Sequence, residues 1–97
     1  MSTSIYKSFM GHMTEAWYAL SAEAQQALMA KLEEEGKRIG VKGVIMCNAS
    51  WSSDHYQFFG FEEYPDMKAV QQYHDALMKM NWFRYVDGQT VLGTKWE

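Results

Sequence analysis

Residues 41–63, VKGVIMCNASWSSDHYQFFGFEE, constrain the chain most. Residues 41–51 are rich in β-branched and apolar side chains, and residues 55–63 carry Tyr56, Phe58, Phe59 and Phe61. Both compositions suit a pleated surface. Between them stand Ser52, Ser53 and Asp54, whose short polar side chains hydrogen-bond the nearby backbone in turns. The predicted outcome is a β-hairpin. Neither strand alternates cleanly between apolar and polar residues. A strand with one face in water alternates, whereas a strand covered on both faces does not. Something is therefore expected on each side of the sheet.

The flanks supply the covering elements. Residues 5–13 (IYKSFMGHM) read as a first strand, and residues 14–20 as a short cover bearing Trp17, Tyr18 and Leu20. Ser21 is a natural N-cap for a helix over residues 22–39. At the helical period Leu28, Met29, Leu32, Gly36 and Ile39 share one stripe. Gly36 leaves room there for a close approach to the sheet. Glu33 with Lys37 and Glu34 with Arg38 form i,i+4 pairs on the solvated face, and Gly40 stands where a C-terminal cap belongs.

After the hairpin, Tyr64-Pro65-Asp66 breaks the pattern, and Asp66 can cap a second helix over residues 67–83. Its inner stripe is Val70, Tyr73, Leu77 and Met80, with His74 on the border and Lys68, Gln72, Asp75 and Lys79 facing water. Asp87-Gly88 reads as a turn, and residues 89–96 (QTVLGTKW) as a closing strand. Gly43, Gly60 and Gly93 fall within strands, where glycine marks a bulge or a close backbone approach.

Ninety-seven residues make one domain spanning 1–97. A hydrophobic fraction of 47% and an aromatic fraction of 15% exceed what so small a core needs. The surplus is expected to line a cavity, an interface or both. A net charge of −3 offers no basic stripe for nucleic acid. No apolar run reaches the ~18 residues of a membrane span, and no leader-like segment opens the chain. Cys47 is alone, which excludes an intrachain disulfide and points to a buried small hydrophobe in a reducing cytoplasm.

The order β-α-β-β-α-β implies an α+β, ferredoxin-like plan, with a four-stranded antiparallel sheet and both helices on one face. The other face would then be a large exposed apolar patch in a monomer. The element order, the length and the closing QTVLGTKW strand resemble the dimeric α+β barrel superfamily. That group includes antibiotic-biosynthesis monooxygenases, stress-responsive A/B barrel proteins, small polyketide cyclases and haem-degrading enzymes. The resemblance implies a homodimer whose sheets pack face to face, with a small-molecule pocket between each sheet and its helices. Polyketide cyclases of this fold place a Tyr and a His around the second helix. Tyr73 and His74 are the matching residues here, but as neighbours they point about 100° apart. The haem-degrading branch uses a strand-one Asn, a strand-three Trp and a second-helix His. His74 matches the third alone, since residues 5–13 contain no Asn and residues 55–63 no Trp.

Proton transfer by His74, aided by Tyr73 and Tyr6, is the expected chemistry, because a His beside an apolar stripe suits acid–base work. The pocket is expected to draw on Trp17, Trp51, Phe59, Phe61 and Trp82. Met46 and Met78 supply adaptable apolar surface, and Glu62 or Glu63 a carboxylate that pairs with Lys7. His12 and His55 fall at one end of the sheet and are the weak metal candidates, but their spacing matches no metal motif. No nucleophile triad, phosphate-binding glycine loop or dinucleotide fingerprint is present. The expected protein binds a small apolar or aromatic metabolite as a homodimer. It would act without a tightly held cofactor as an oxygenase, cyclase or isomerase. The alternatives are a non-enzymatic binding or assembly module, and a haem- or metal-binding protein.

Overall fold

A computed structural model describes residues 3–96; Met1 and Ser2 of the polar start, and Glu97, lie outside them. In chain order the elements are β1 (Ile5–Met13), α1 (Glu15–Tyr18), α2 (Ala22–Ile39), β2 (Lys42–Asn48), β3 (Phe58–Tyr64) and α3 (Met67–Lys79). A 3₁₀ turn (Trp82–Arg84) and β4 (Val86–Gly93) follow. The strands form one sheet in the order β2-β3-β1-β4, every neighbouring pair antiparallel. This is the ferredoxin-like α+β arrangement. Its smallest dimension is 17 Å, against 44 Å and 30 Å for the others, so there is one sheet and one helical layer.

Local chemistry fixes the helix ends. The Ala24 amide donates to the Ser21 hydroxyl at 3.1 Å and the Ala69 amide to the Asp66 carboxylate at 2.8 Å, satisfying N-terminal donors of α2 and α3. Gly40 adopts φ 97°, the left-handed value that closes α2 without a side-chain clash. On the outer face of α2, Glu33 meets Lys37 at 3.2 Å as expected, but Arg38 pairs with Glu35 rather than Glu34.

The second helix is shorter than its apolar pattern predicts. It stops at Lys79 because Asn81 takes φ 59°, a conformation asparagine tolerates better than most residues, and the chain then tightens into the 3₁₀ turn. Asp87 and Gly88 are not a turn but part of β4, paired with His12 and Gly11 of β1. Two glycines facing each other let these strands come very close. A Cβ built on Gly11 would lie 2.6 Å from the Asp87 carbonyl oxygen, and one on Gly88 would run into that of Met10. β4 ends at Gly93, opposite Tyr6, so the expected continuation to Trp96 leaves the ladder as β1 reaches its own start. In β2, Val44 is the extra residue of a β-bulge between Gly43 and Ile45.

The core lies at one end of the sheet. Tyr64, the last residue of β3 and only 1% exposed, packs with Ala69, Tyr73 and Leu77 of α3. Ile5, Leu32, Val41 and Val70 close around them. The sequence pattern had placed Tyr64 in a break between elements. Gly36 is buried, and the close approach it permits is to the Tyr73 ring of α3 and to Val41 at the entry to β2. With α2 resting on α3, a wedge of space remains between α2 and the strands.

Side-chain alternation assigns the two sheet faces. Lys7 and Glu62 are paired across β1 and β3 beneath the helices, so their neighbours Ser8 and Phe61 face the other way. Along one row of that opposite face run Ile45, Phe61, Ser8 and Val91, one residue from each strand. Phe61 and Val91 are 44% and 64% exposed. The sheet is thus covered on one side only, and the unbroken apolar character of β2 and β3 is left without a partner for its second face.

Candidate functional site

The wedge between α2 and the strands is a cleft of about 780 Å³. Trp17 of α1 stands at one end, Met29 and Leu32 of α2 form a wall, and Val41, Gly43 and Glu62 come from the sheet side. Tyr73 of α3 closes the inner end. Trp17 is held edge-on by Trp82 at 6.1 Å and by Tyr85 at 6.3 Å between ring centres. The start of α1 is tied to the 3₁₀ turn as well, since the Thr14 hydroxyl donates to the Arg84 carbonyl at 2.7 Å. The aromatic end of the cleft is therefore braced from behind by the segment that follows α3.

Glu62 is the charged residue that the sheet contributes to this cleft. Its side chain is 20% exposed, its Oε1 accepts the Tyr64 hydroxyl at 2.9 Å, and the Lys7 ammonium lies 3.8 Å from the same oxygen. Both phenols nearby are pushed well above the usual tyrosine range. For Tyr64 the causes are burial first and then the Glu62 charge and hydrogen bond. For Tyr73 they are burial and the Glu62 charge. The cleft thus presents a carboxylate and the Tyr73 phenol beside apolar Trp17, Met29 and Leu32, with Lys7 and Tyr64 supporting Glu62 from behind. Such a set can orient a small molecule and hold a proton at a fixed place.

The residues singled out from the sequence divide over both faces of the sheet. Trp17, Glu62 and Tyr73 line the cleft, and Trp82 supports it from behind. Phe59 and Phe61 line a hollow of about 300 Å³ on the opposite face, beneath the β2–β3 loop. Tyr6 also belongs to that face, since it alternates with Lys7 and pairs with Glu63. Met46 lies on edge strand β2, exposed like Met78 on α3. Trp51, 83% exposed, sits in the loop between β2 and β3.

None of the three histidines is among the lining residues. His74 is exposed on α3, where its ring stacks at 5.4 Å on Phe83, because a one-residue step from Tyr73 turns it about 100° away. His12 lies 3.7 Å from the Asp87 carboxylate, with its Nδ1 buried and unpartnered among the described residues. His55 is exposed beside Tyr56. Cys47 pairs opposite Phe59, on the far side of the sheet. Among the described residues no three His, Cys, Asp or Glu side chains converge on a metal position. No imidazole or thiolate is among the cleft's lining residues; Met29 and Tyr73 are the residues there of a type that ligates haem iron.

Sequence reasoning missed Tyr64 as a partner of Glu62. The available signal was the i,i+2 spacing, which puts both side chains on one face if β3 runs one residue further.

No family model matches the sequence, and no curated protein matches it. Solved structures of chlorite dismutase from Candidatus Nitrospira defluvii are similar in fold. The complex with imidazole aligns with a TM-score of 0.73 at 16% identity, over 96% of this chain and 40% of that one. A mutant in complex with cyanide gives 0.72 at 16% identity over the same shares, 96% and 40%. A further mutant gives 0.71 at 16% identity, over 100% of this chain and 42% of the other. The fold is the one seen in dimeric α+β barrels. The chain spans about two-fifths of the length of these structures, at an identity that speaks for the fold alone.

In the helices that are described, none is long and apolar enough to cross a membrane.

Proposed function

We propose that this chain binds a small, mostly apolar organic molecule in the cleft between α2 and the sheet, and does so as a homodimer. The observation that carries the reading is the cleft itself: about 780 Å³, with Trp17, Met29, Leu32 and Val41 as apolar lining, polar Gln25, Gln26, Glu33 and Lys37 along α2, and the Glu62 carboxylate held by Tyr64 and Lys7. This volume falls within the range of small-molecule sites, and a few placed polar groups in an apolar lining are their usual chemistry. That solved structures of the same fold hold imidazole or cyanide adds support.

The dimer follows from the open sheet face. Phe61, Ile45 and Val91 lie in one row there, each more than 40% exposed, and a second copy presenting the same row would remove them from water. Where binding leads to a reaction, an oxygenase, cyclase or isomerase step without a tightly held cofactor suits the site. Glu62 then accepts a proton, and Tyr73, kept neutral by burial, donates a hydrogen bond. His74 and Tyr6, the other acid–base candidates, would act from outside the cleft.

Native mass spectrometry of the protein purified without added ligand tests this reading. The expected result is a dimer carrying the mass of one small organic molecule per subunit, lost when Gly43 is replaced by Trp to fill the cleft. A monomer, or a bound mass that persists in that variant, would overturn it.

A further inference from the structure

We infer that the molecule held in the cleft is neutral and carries a hydroxyl group on an apolar body, with that hydroxyl bridging Tyr73 and Glu62. The inference rests on the binding reading above and names the class of ligand.

Two polar atoms in the cleft lack partners. At Glu62 both the Tyr64 hydroxyl and Lys7 engage Oε1, and among the described residues no hydrogen bond reaches Oε2. Tyr73 is only 6% exposed, yet it lines the cleft and its hydroxyl has no hydrogen bond among the described residues. Gly36 keeps space beside it, since a Cβ there would stand 4.0 Å from the Tyr73 oxygen. The Tyr73 oxygen opens on the cleft, where a ligand group can take the place of water as its partner.

The identity of the two groups selects the ligand's chemistry. An ionised carboxylate only accepts, so it asks for a donor; a phenol that remains protonated offers a donor and asks for an acceptor. A single hydroxyl has the chemistry for both, donating to the carboxylate and accepting from the phenol. A phenol is protonated across the neutral range, and burial, with the Glu62 charge, pushes Tyr73 further up. A carboxylate ligand would set a second negative charge against Glu62. An ammonium ligand would give Glu62 a donor but leave the Tyr73 proton without an acceptor, and Lys7 already balances the carboxylate. The mouth is neutral too, because Glu33 and Lys37 pair at 3.2 Å. Trp17, Met29 and Leu32 then hold the apolar body.

Titration calorimetry with four probes of one skeleton decides the matter: naphthalene, 2-naphthol, 2-naphthoate and naphthylmethylammonium. The dimeric protein should bind naphthol about tenfold more tightly than naphthalene, as a hydrogen bond to a charged acceptor predicts. Tyr73→Phe and Glu62→Gln should each bring the ratio of naphthol to naphthalene affinity most of the way to one. The second variant retains a side-chain oxygen for the Tyr64 hydroxyl, so folding is protected in at least one of the two. Tighter binding of naphthoate or of the ammonium, or a naphthol advantage that survives both variants, would overturn the inference while leaving the cleft as a binding site. Failure of all four probes to bind would overturn the binding reading, and this inference with it.

Discussion

Tyr64 donates its hydroxyl at 2.9 Å to Glu62, two residues earlier on the same strand. Tyr64, only 1% exposed, therefore anchors the Glu62 carboxylate of the cleft. Core and candidate site share a residue, and changes in one are felt in the other. Replacing Tyr64 by Phe keeps the ring and removes the bond, which should cost about 1–2 kcal/mol of stability. Urea unfolding measures this, and an unchanged midpoint would show that water serves Glu62 as well as Tyr64 does.

The same two phenols make stability depend on alkaline pH. Tyr64 and Tyr73 bind their protons more tightly when folded, because burial disfavours the phenolate and the Glu62 charge adds to that effect. Their contribution is complete below the unfolded tyrosine value of about 10. Above it the unfolded chain loses protons that the folded chain keeps. Stability should fall by ~1.4 kcal/mol per pH unit for each tyrosine until the folded phenols also ionise. Unfolding midpoints between pH 8 and about 11 check the sign; a flat profile through the upper end contradicts it.

Two glycine-to-alanine changes should move stability in opposite directions. At Gly36 the nearest atom to a new Cβ is Tyr73 Cε1 at 3.7 Å, an ordinary contact, and the helix gains a better residue. Gly36→Ala should stabilise by about 0.5–1 kcal/mol. At Gly60 the Cβ would lie 2.5 Å from the Ile45 carbonyl oxygen and 2.7 Å from Phe9 Cζ. Gly60→Ala must displace backbone, at about 1–3 kcal/mol. Thermal melts of both variants are compared with the parent, and a stabilised Gly60→Ala would contradict the packing described.

Phe61 tests the open face. It is 44% exposed in the protomer and lies in the row that crosses all four strands. Phe61→Lys should leave the protomer folded and weaken self-association by about 2 kcal/mol or more, as loss of a central aromatic anchor does. Sedimentation velocity reads the outcome. A dimer that persists at the same concentration would place the interface elsewhere.

Much of the fold was legible because its signals are local. Ser21, Asp66 and Gly40 act through their own backbone neighbourhood, so the caps of α2 and α3 follow from single residues and their spacing. The bounds of β1 and α2 follow from pattern in the same way. What escaped were features decided by distant partners. Asp87-Gly88 has turn chemistry, yet it lies in β4 because Gly11 and His12 of β1 are there to pair with it. Tyr64 precedes a proline and looks like a break, but Ala69, Tyr73 and Leu77 turn it into the core. The cleft was half legible. Aromatic residues and a carboxylate were evident, but sheet register sends Phe59 and Phe61 to one side and Glu62 to the other. Tyr73 and His74 show the same limit on α3, where one helical step separates the cleft from solvent.

Gly43 faces this cleft, and a Cβ placed on it meets no atom within 4 Å. Its neighbourhood includes a bulge on an edge strand, where local changes do not propagate through the sheet. A methyl group at this position therefore enters the cleft without a clash. Gly43 is thus a point where one codon can resize the cavity of this chain.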